Sequence, residues 1–512
     1  MSAVSLADWL PADQGPWQLD FEQWPQAQAQ RWRAVLATGP DGRKFLLAER
    51  DEDTMLLQSA EARLQSPVRW QRCSAEAITH WLGAGEADFR ALSDVEDAVA
   101  QAEAASSTEE LSSLRLSEQA SPVVRLLNAT LYDALQDGAS DVHIECTARG
   151  ASIRFRIDGV MALVRHVESA QMAEQLVSRL KVMAELDIGE RRLPQDGRFQ
   201  LRVQGREVDF RLSIMPSVFG EDAVVRLLDR ARIEQGGQDT GKLTLDSLGF
   251  SADERAAIRH QARQPHGMLL VTGPTGSGKT TTLYGTLAEI HTGQDKIITI
   301  EDPVEYQLEG VVQIPVNEKK GLTFSRGLRS ILRHDPDRVM VGEIRDAETA
   351  QIAVQAALTG HLVFSTVHAN NAFDVIGRFM HMGLDLYNVV SALNAVLAQR
   401  LVRLNCKHCA KPYTPDAATL MRHGVTLEQG HFLRGEGCGH CRGTGYKGRR
   451  AVAELLRLDD GLRDLIAARA PMSQIKEAAR SRGMKPLRAA ALQAVLAGET
   501  SFEELERVTL DE

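Results

Sequence analysis

The sequence has few cysteines, no long apolar run and no candidate leader, and each absence excludes a class of protein. Six cysteines in 512 residues are too few for a disulfide framework. No window approaches the length of about 18 apolar residues that a membrane-spanning helix needs. The first residues lack the basic head and apolar run of a signal peptide. We therefore expect a cytosolic protein whose contact with any membrane is peripheral and depends on a partner.

An excess of positive charge is also missing. The chain has 59 basic against 69 acidic residues, a net charge of −10, and a pI near 5.8. This balance argues against a dedicated nucleic-acid binder, so no nucleic-acid partner is expected. The composition is that of an ordinary globular protein, with 43% hydrophobic and 25% charged residues. The length suggests roughly three domains.

Shifts in composition divide the chain into successive segments, and no internal repeats are present. Hydrophobic patterning predicts an α/β fold class, with strands alternating with helices in the C-terminal half and a mostly parallel sheet covered on both faces. The last hundred residues are expected to be mainly helical. The predicted segments are a small helical or mixed unit at 1–88, a linker at 89–121, a second N-terminal α/β domain at 122–234, a hinge at 235–242 and an α/β core at 243–512.

Residues 273–280, GPTGSGKT, match the complete GxxxxGK[ST] pattern of a phosphate-binding loop. The loop follows a strand predicted at 268–272 and precedes a helix predicted at 281–290, which is the context that the motif requires. Its glycines let backbone N–H groups surround phosphate oxygens, and the helix N-terminus adds partial positive charge. The sequence therefore predicts a nucleoside triphosphate site with Mg²⁺, in which Lys279 reaches the phosphates and Thr280 ligates the metal. The predicted contacts are Gly273, Pro274, Thr275, Gly276, Ser277, Gly278, Lys279, Thr280 and Thr281.

Carboxylates follow two further predicted strands. The strand at 297–300 ends at Glu301, and the strand at 338–342 ends at Glu343. Ligands of open α/β sheets bind beyond the carboxyl ends of the strands. Lys279, Glu301 and Glu343 are therefore expected at one edge, where carboxylates can hold Mg²⁺ and polarise water for hydrolysis.

Two histidines flank the strand predicted at 362–367. The same rule places His368 on the nucleotide side and His361 on the far side. A straight strand would separate the two by roughly 23 Å, at about 3.3 Å per residue. For His361, a structural role at the strand end and a functional role stay equally open.

Four cysteines occur as two CxxC pairs, with basic and glycine neighbours. These predicted ligands are Cys406, Cys409, Cys438 and Cys441. Paired knuckles suit a tetrahedral Zn²⁺ with bonds near about 2.3 Å and leave no open position, so a structural zinc is predicted. Two redox-active pairs or four unrelated thiols are the alternatives. His408 and His440 could substitute as ligands, but we expect them to lie behind the ligands or to be exposed. Cys73 and Cys146 are expected to be small core residues.

Four segments resemble the Walker A, Asp box, Walker B and His box of the secretion ATPases, which drive type II secretion and type IV pilus dynamics. The segments are residues 273–284, 299–306, 325–350 and 359–370. The resemblance covers roughly residues 119–512. It implies a RecA-like P-loop core, ATP as the nucleotide, a two-lobed subunit and a homohexameric ring.

The resemblance also implies roles for single residues. Glu343 would act as the general base or position water, and Glu301 would act on Mg²⁺ or water. Arg198 and Arg211 match arginines of the family's second N-terminal domain that face the nucleotide, although arginines on alternating strand positions are most often exposed strand-face residues. The competing arginines beside Walker B are Arg326, Arg329 and Arg333.

The four-cysteine module favours the secretion and assembly branch of the family, because the retraction ATPases of pili lack it. We therefore predict a cytoplasmic ATPase that powers type II protein secretion through an inner-membrane platform protein bound by residues 1–88. The alternative is the assembly ATPase of a type IV or competence pilus. A nucleic-acid motor is disfavoured by the acidic pI, and a non-hydrolysing scaffold by the intact Glu301 and Glu343. No RLG-type motif is present, so no cyclic-dinucleotide ligand is expected.

Overall fold

The structure is a computed structural model that divides into two compact units, Met1–Asp229 and Arg230–Glu512. The predicted hinge at 235–242 and most of the linker at 89–121 lie outside the described residues, and the predicted domain boundaries stay predictions. Within the described residues, no helix is long and apolar enough to cross a membrane. The described residues are 18–21, 23–24, 26–39, 42–51, 53–64, 66–88, 110–111, 121–203, 206–228 and 243–509.

The first sheet of the first unit has four strands, and helices accompany it. Its elements are β1 (Gln18–Leu19), α1 (Gln26–Trp32), β2 (Ala34–Thr38), β3 (Lys44–Ala48), α2 (Thr54–Leu64), β4 (Val68–Arg72) and α3 (Ala75–Asp88). The strands lie in the order β1-β2-β3-β4, and β3 and β4 pair in parallel. Trp24 and Trp81 are buried in its core. Strands and helices both occur in the small unit at 1–88, so of the two predicted forms it is the mixed one.

The second sheet of the first unit has seven strands. Its elements are β5 (Glu110–Leu111), α4 (Pro122–Gln136), β6 (Ala139–Thr147), β7 (Gly150–Ile157), β8 (Val160–Val167), α5 (Ala170–Met183), β9 (Gln195–Val203), β10 (Arg206–Ser217) and β11 (Gly220–Leu228). The strand order is β5-β9-β10-β11-β6-β7-β8. The hairpin between β7 and β8 turns at Asp158 and Gly159, whose φ angles are +49° and +84°, as a tight two-residue turn requires.

The second unit contains a large sheet with helices on both faces. Its elements are α6 (Ala252–Ala262), β12 (Gly267–Thr272), α7 (Lys279–Ile290), β13 (Ile297–Glu301), β14 (Val312–Pro315), α8 (Phe324–Ile331), β15 (Arg338–Val341), α9 (Ala347–Leu358), β16 (Leu362–Val367), α10 (Ala372–His381), α11 (Leu386–Ala392), β17 (Leu393–Asn405), β18 (Ala410–Pro412), α12 (Ala417–His423), β19 (Leu433–Gly435), β20 (Tyr446–Arg457), α13 (Asp460–Ala467), α14 (Met472–Ser481), α15 (Leu487–Leu496) and α16 (Phe502–Val508).

The order of this sheet is β14-β13-β15-β16-β12-β17-β20, and its pairs are parallel except for β17 with β20. Successive residues of β12 alternate between two cores: Met268 and Leu270 pack in one, and Leu269 and Val271 in the other. Both faces are therefore covered, as parallel sheets require. The predicted mostly parallel α/β arrangement is confirmed, and it brings the ends of β12, β13, β15 and β16 to one edge.

The expectation of a mainly helical C-terminus is wrong for β20, a twelve-residue strand that pairs with β17. The apolar stretch of β20 is almost entirely buried. A short continuous apolar run fits a buried strand and a buried helix equally, so hydrophobic periodicity could not decide between them. The segment between β17 and β20 carries the small hairpin of β18 and β19, and its Phe432 packs in one core with residues of β17, β20, α15 and α16.

Candidate functional site

A glycine-rich loop joins the end of β12 to the start of α7. Gly276 and Gly278 have φ angles of +78° and +86°, in the region that favours glycine. A Cβ atom on Gly273 would lie 2.5 Å from the Gln399 carbonyl oxygen, so a side chain has no room there. The buried Oγ of Ser277 finds no hydrogen-bond partner among the described residues. The loop therefore offers an unsatisfied polar atom to a phosphate group.

Lys279 is the first residue of α7 and lies against this loop. Its Nζ donates to the carbonyl oxygens of Gly273, at 3.0 Å, and Pro274, at 3.1 Å. Burial lowers the pKa of Lys279, Glu343 acts to raise it, and Arg400 acts to lower it. The ammonium group is thus held in a partly desolvated position, where an anion on the loop would interact with it strongly.

Glu343, just beyond the end of β15, lies beside two basic side chains. His368 Nε2 is 3.5 Å from Glu343 Oε2, and the Arg345 guanidinium forms a salt bridge with the same carboxylate. Burial and the charge of Lys279 lower the pKa of His368 below its usual value, although Glu343 opposes them, so the imidazole is mostly neutral at pH 7. The structure places His368 beside Glu343 at the sheet edge where the phosphate-binding loop begins, and its action on a nucleotide stays a prediction.

Glu301, the last residue of β13, is buried and accepts several hydrogen bonds. Its Oε1 accepts from Thr299 Oγ1 at 2.5 Å and from Gln313 Nε2 at 3.1 Å, while its Oε2 accepts from the Tyr284 hydroxyl. Burial, together with the charge of Glu301, raises the pKa of Tyr284 above its usual value. These contacts tie the carboxylate to β14 and α7. Its action on Mg²⁺ or water stays a prediction.

Sequence reasoning missed Arg345, Gln399 and Arg400. Gln399 donates from Nε2 to the Ser277 carbonyl at 2.8 Å and accepts from Thr282 Oγ1 at 2.8 Å, so it clamps the loop to β17. Arg345 could have been found, since it follows Glu343 by two residues at the end of a predicted strand. The two β17 residues gave no such signal, because β17 itself was not predicted.

The four predicted zinc ligands come together between β17 and β20. All their Sγ atoms lie within 4.8 Å of one another, with 3.9 Å between Cys406 and Cys438 and 3.7 Å between Cys409 and Cys441. A tetrahedral ion with Zn–S bonds of about 2.3 Å needs sulfur separations of about 3.8 Å. The cluster could therefore hold a metal ion, and the alternative of four unrelated thiols is wrong.

The two histidines beside the cluster are exposed, and the two cysteines outside it are partly buried in the first unit. His408 and His440 are exposed and stack on each other, with ring centroids 3.9 Å apart. Cys73 and Cys146 are partly buried at the margins of two different cores in the first unit. Burial raises the pKa of the Cys73 thiol to about 11, which makes it an unreactive thiol at neutral pH.

Arg198 and Arg211 lie on adjacent strands of the first unit. Arg198 of β9 opposes Arg211 of β10, which opposes Arg226 of β11, so the three side chains share one face of the sheet. They line a cleft of about 470 Å³, and Arg226 also lies 2.9 Å from a carboxylate oxygen of Asp141. The Asp141 carboxylate therefore already neutralises part of the positive charge on this face. Arg226 was not predicted.

The competing arginines lie in α8 or just after it. Arg329 forms a 2.7 Å salt bridge with Glu348 of α9, and Arg333 donates to the Arg329 carbonyl at 2.9 Å. Arg326 donates to the Gly321 carbonyl at 3.3 Å. Each of the three has a partner within the second unit.

His361 precedes β16, at the opposite end of that strand from His368. Its Nδ1 lies 3.1 Å from the Ala356 carbonyl oxygen of α9, and its own carbonyl accepts from Gly267 N at 3.1 Å. These contacts join the end of a helix to the start of β12. They favour the structural interpretation of this histidine.

The family model of the type II/IV secretion system proteins matches residues 117–507. That span includes the glycine-rich loop, the Glu343 cluster and all four clustered cysteines. The chain belongs to this family. The four motif segments indicated a resemblance to the secretion ATPases, and the family match confirms it.

Two relatives in the family match the chain over most of their own length. Type II secretion system protein E of Pseudomonas aeruginosa is 48% identical over 396 residues, which cover 77% of each chain. Type II secretion system ATPase E of Vibrio cholerae is 44% identical over 459 residues, which cover 89% of this chain and 87% of the relative.

Solved structures also resemble the chain. The ATPase DotB of Legionella pneumophila superposes with a TM-score of 0.54 at 19% identity, covering 75% of this chain and 94% of DotB. At that identity the likeness concerns the fold alone. It confirms the predicted α/β secretion-ATPase fold.

Proposed function

We propose that this chain is the cytoplasmic ATPase of a type II secretion system, which hydrolyses ATP to power protein export across the outer membrane. The observation that carries the proposal is the meeting of a complete phosphate-binding loop with Glu343, His368 and Arg345 at one edge of a parallel sheet. A carboxylate surrounded by cations in a partly desolvated place suits phosphoryl transfer, in which positioning and charge supply most of the catalysis. The names of the curated relatives support secretion as the purpose of that hydrolysis.

ATP would bind on the loop that precedes α7. The Lys279 ammonium and the unpartnered Ser277 hydroxyl fit phosphate oxygens, and Thr280 is exposed at the start of the helix. Mg²⁺, held by the Thr280 hydroxyl, would neutralise charge that develops on the phosphates. The residues proposed to contact the nucleotide are Gly273, Pro274, Thr275, Gly276, Ser277, Gly278, Lys279, Thr280 and Thr281.

Glu343 is the carboxylate that we assign to the attacking water. Arg345 holds that carboxylate in place through its salt bridge. The neutral imidazole of His368 can donate to the carboxylate or to the water itself. Glu301 keeps its proposed action on Mg²⁺ or water, from a position fixed by Tyr284.

The four-cysteine cluster is proposed to hold one structural zinc ion. Its sulfur separations match those of a zinc thiolate tetrahedron, and four protein ligands leave no position open for catalysis. The ion would supply a cross-link between the two knuckles. Zinc would thus support the fold of the segment between β17 and β20.

The chain is further proposed to work as a homohexamer at the inner face of the inner membrane. Residues 1–88, in which no catalytic pattern occurs, would bind an inner-membrane platform protein. Arg198 and Arg211 would face the nucleotide and stabilise the charge of the breaking phosphate bond. With a net charge of −10, no nucleic-acid partner is expected.

Purification of the full chain with its bound proteins from solubilised inner membranes tests whether the chain works in protein secretion or in pilus assembly. Recovery of a secretion-platform protein is expected, whereas pilus components would favour the alternative, an assembly ATPase of a type IV or competence pilus. A parallel turnover assay addresses hydrolysis itself: ATP consumption absent from assembled rings would favour a nucleotide-gated scaffold. A chain without residues 1–88 is the matched control, since it should hydrolyse ATP without sedimenting with inner membrane.

A further inference from the structure

Two buried threonines lie near the ends of β12 and β16, which are neighbours in the sheet. The hydroxyl of each one contacts backbone at the end of the adjacent strand, which is β16 for Thr272 and β15 for Thr366. Thr272 is the last residue of β12 and is fully buried, and Thr366 of β16 is 4% exposed. Neither belongs to the residues singled out from the motifs. Both hydroxyls lie at the sheet edge that carries the proposed site. One contacts the segment that carries His368, and the other contacts the segment that carries Glu343.

The Thr272 hydroxyl holds the segment that carries His368. Its Oγ1 accepts from the Ala369 N–H at 3.0 Å, and lies 2.8 Å from the Val367 carbonyl oxygen and 3.0 Å from that of Ala369. A hydroxyl has one proton to donate and lone pairs to accept. One side chain therefore contacts the backbone immediately before and immediately after the histidine.

Residues of β17 and β20, which lie beyond β12 in the order of the sheet, hold the same segment at two further points. Arg400 Nη2 donates to the Asn370 carbonyl at 2.9 Å. The buried carboxylate of Glu454 accepts from the Ala372 N–H at 2.9 Å, at the start of α10, where a negative charge also suits the helix dipole. The backbone before and after His368 in the chain is thus held at several points by β12, β17 and β20.

Thr366 holds the backbone before and after Glu343, as Thr272 holds the backbone before and after His368. Its Oγ1 donates to the Gly342 carbonyl at 2.8 Å, and its own carbonyl accepts from the Ile344 N–H at 2.9 Å. Gly342 and Ile344 are the two neighbours of Glu343 in the chain. The backbone that presents the carboxylate is therefore held on each side by a single residue of β16.

We propose that Thr272 and Thr366 are positioning residues that set the distance between His368 and Glu343. Thr272 immediately precedes the phosphate-binding loop, so its hydroxyl fixes the histidine relative to the bound phosphates. Thr366 then fixes the carboxylate relative to the strand that carries the histidine. Removing either hydroxyl lets the 3.5 Å contact between imidazole and carboxylate relax. The inference rests on the proposed roles of Glu343 and His368 in ATP hydrolysis.

Valine and serine variants of the full chain separate the hydroxyl from the bulk of the side chain. Valine keeps the branched shape of threonine without a hydroxyl, and serine keeps the hydroxyl. Thr272→Val should lower kcat by about tenfold or more, since a shift of about 1 Å in a catalytic group costs up to about a hundredfold. The Kd for ATP should stay close to that of the wild type. Thr272→Ser should recover most of the turnover.

A double variant tests whether Thr272 acts through His368. Thr272→Val combined with His368→Ala should turn over no more slowly than His368→Ala alone, because the hydroxyl has nothing left to position. A purely structural role would instead give losses that multiply. The control is Thr130→Val in α4, a buried threonine whose hydroxyl donates to the Leu126 carbonyl at 2.7 Å, which should keep wild-type turnover.

Multiplied losses in the double variant, or wild-type turnover in Thr272→Val, overturn the inference while leaving the proposed function intact. Wild-type turnover in His368→Ala contradicts the proposed role of the histidine and the inference with it. Should Thr272→Val fail to fold, Thr366→Val and Thr366→Ser give the same comparison through Glu343. Equal turnover in those two variants would also overturn the inference.

Discussion

The balance of charge around Lys279 determines what individual residues of this site can do. Lys279, Arg345 and Arg400 are cationic, and burial lowers the pKa values of Lys279 and Arg400. His368 is held neutral, and Glu343 supplies negative charge at the centre. A triphosphate carries several negative charges, so this set of cations gains a favourable partner when the nucleotide binds.

Replacing Glu343 by glutamine should stop turnover and leave ATP binding intact. The neutral amide keeps the size of the side chain but cannot polarise water as a carboxylate does. Lys279→Ala should instead abolish nucleotide-dependent function, because it removes the ammonium group of the loop. Steady-state turnover and equilibrium nucleotide binding distinguish the two effects. Glu477→Gln, an exposed residue of α14, is the control, and wild-type hydrolysis by Glu343→Gln would contradict the assignment.

Lowering the pH should lower turnover, because it protonates His368. Its pKa lies below the usual 6.5, so the imidazole stays neutral through the physiological range and becomes charged only at lower pH. Once charged, it repels Lys279 and pairs with Glu343, which withdraws the carboxylate from water. The kcat of the wild type should therefore fall as the pH drops below about 6.5. His368→Gln cannot titrate, and an identical fall in its pH–rate profile would show that another group is responsible.

The secondary-structure elements explain which parts of the site were predictable. Lys279, Glu343 and His368 were found because each belongs to a short motif at the end of a predicted strand. Gln399 and Thr272 were not, since their importance depends on β12 lying between β16 and β17. Strand order arises from pairing between distant segments, and hydrophobic periodicity along one segment carries no information about it.

The element between β17 and β20 should depend on its metal. Purified, reduced protein should contain about one zinc per chain. Cys406→Ser should lose the metal and loosen residues 400–450, because the two knuckles are then no longer cross-linked, while nucleotide binding on the loop after β12 persists. Elemental analysis and limited proteolysis measure the two effects. Cys73→Ser, in the first unit, should change neither, and zinc-free native protein would contradict the assignment.

At the scale of the whole molecule, the two units contribute different charges to the proposed reaction. The second unit carries the phosphate-binding loop, whereas Arg198 and Arg211 belong to the first and share one sheet face with Arg226. A γ-phosphate that spreads charge over three oxygens needs more cations than the loop supplies. Turnover would then depend on both units of the chain.

Loss of Arg198 or Arg211 should cut turnover by about a thousandfold or more, as removal of a finger arginine does in other P-loop enzymes, with ATP binding far less affected. Arg202→Ala is the control, since Arg202 lies on β9 and pairs only loosely with Glu207, at 3.5 Å. Full turnover in both Arg198→Ala and Arg211→Ala would contradict the role.

Mixed rings show whether the arginines act within or between subunits. Chains with Lys279→Ala are combined with chains that lack Arg198 or Arg211. Turnover that recovers in the mixture means that the arginine acts on a neighbouring subunit. If verified mixed rings stay inactive, the arginine acts within its own chain. Arg329→Ala in the same mixtures tests the competing helix α8.

The segment that carries the four clustered cysteines leaves and re-enters the sheet at one place. Asn405, at the end of β17, pairs with Tyr446, at the start of β20, and residues paired in this way lie about 5 Å apart. A tight two-residue turn spans that gap. A chain in which a short turn replaces residues 406–445 would therefore keep the pairing of β17 with β20, but it would lose Phe432 from the core that these strands share with α15 and α16.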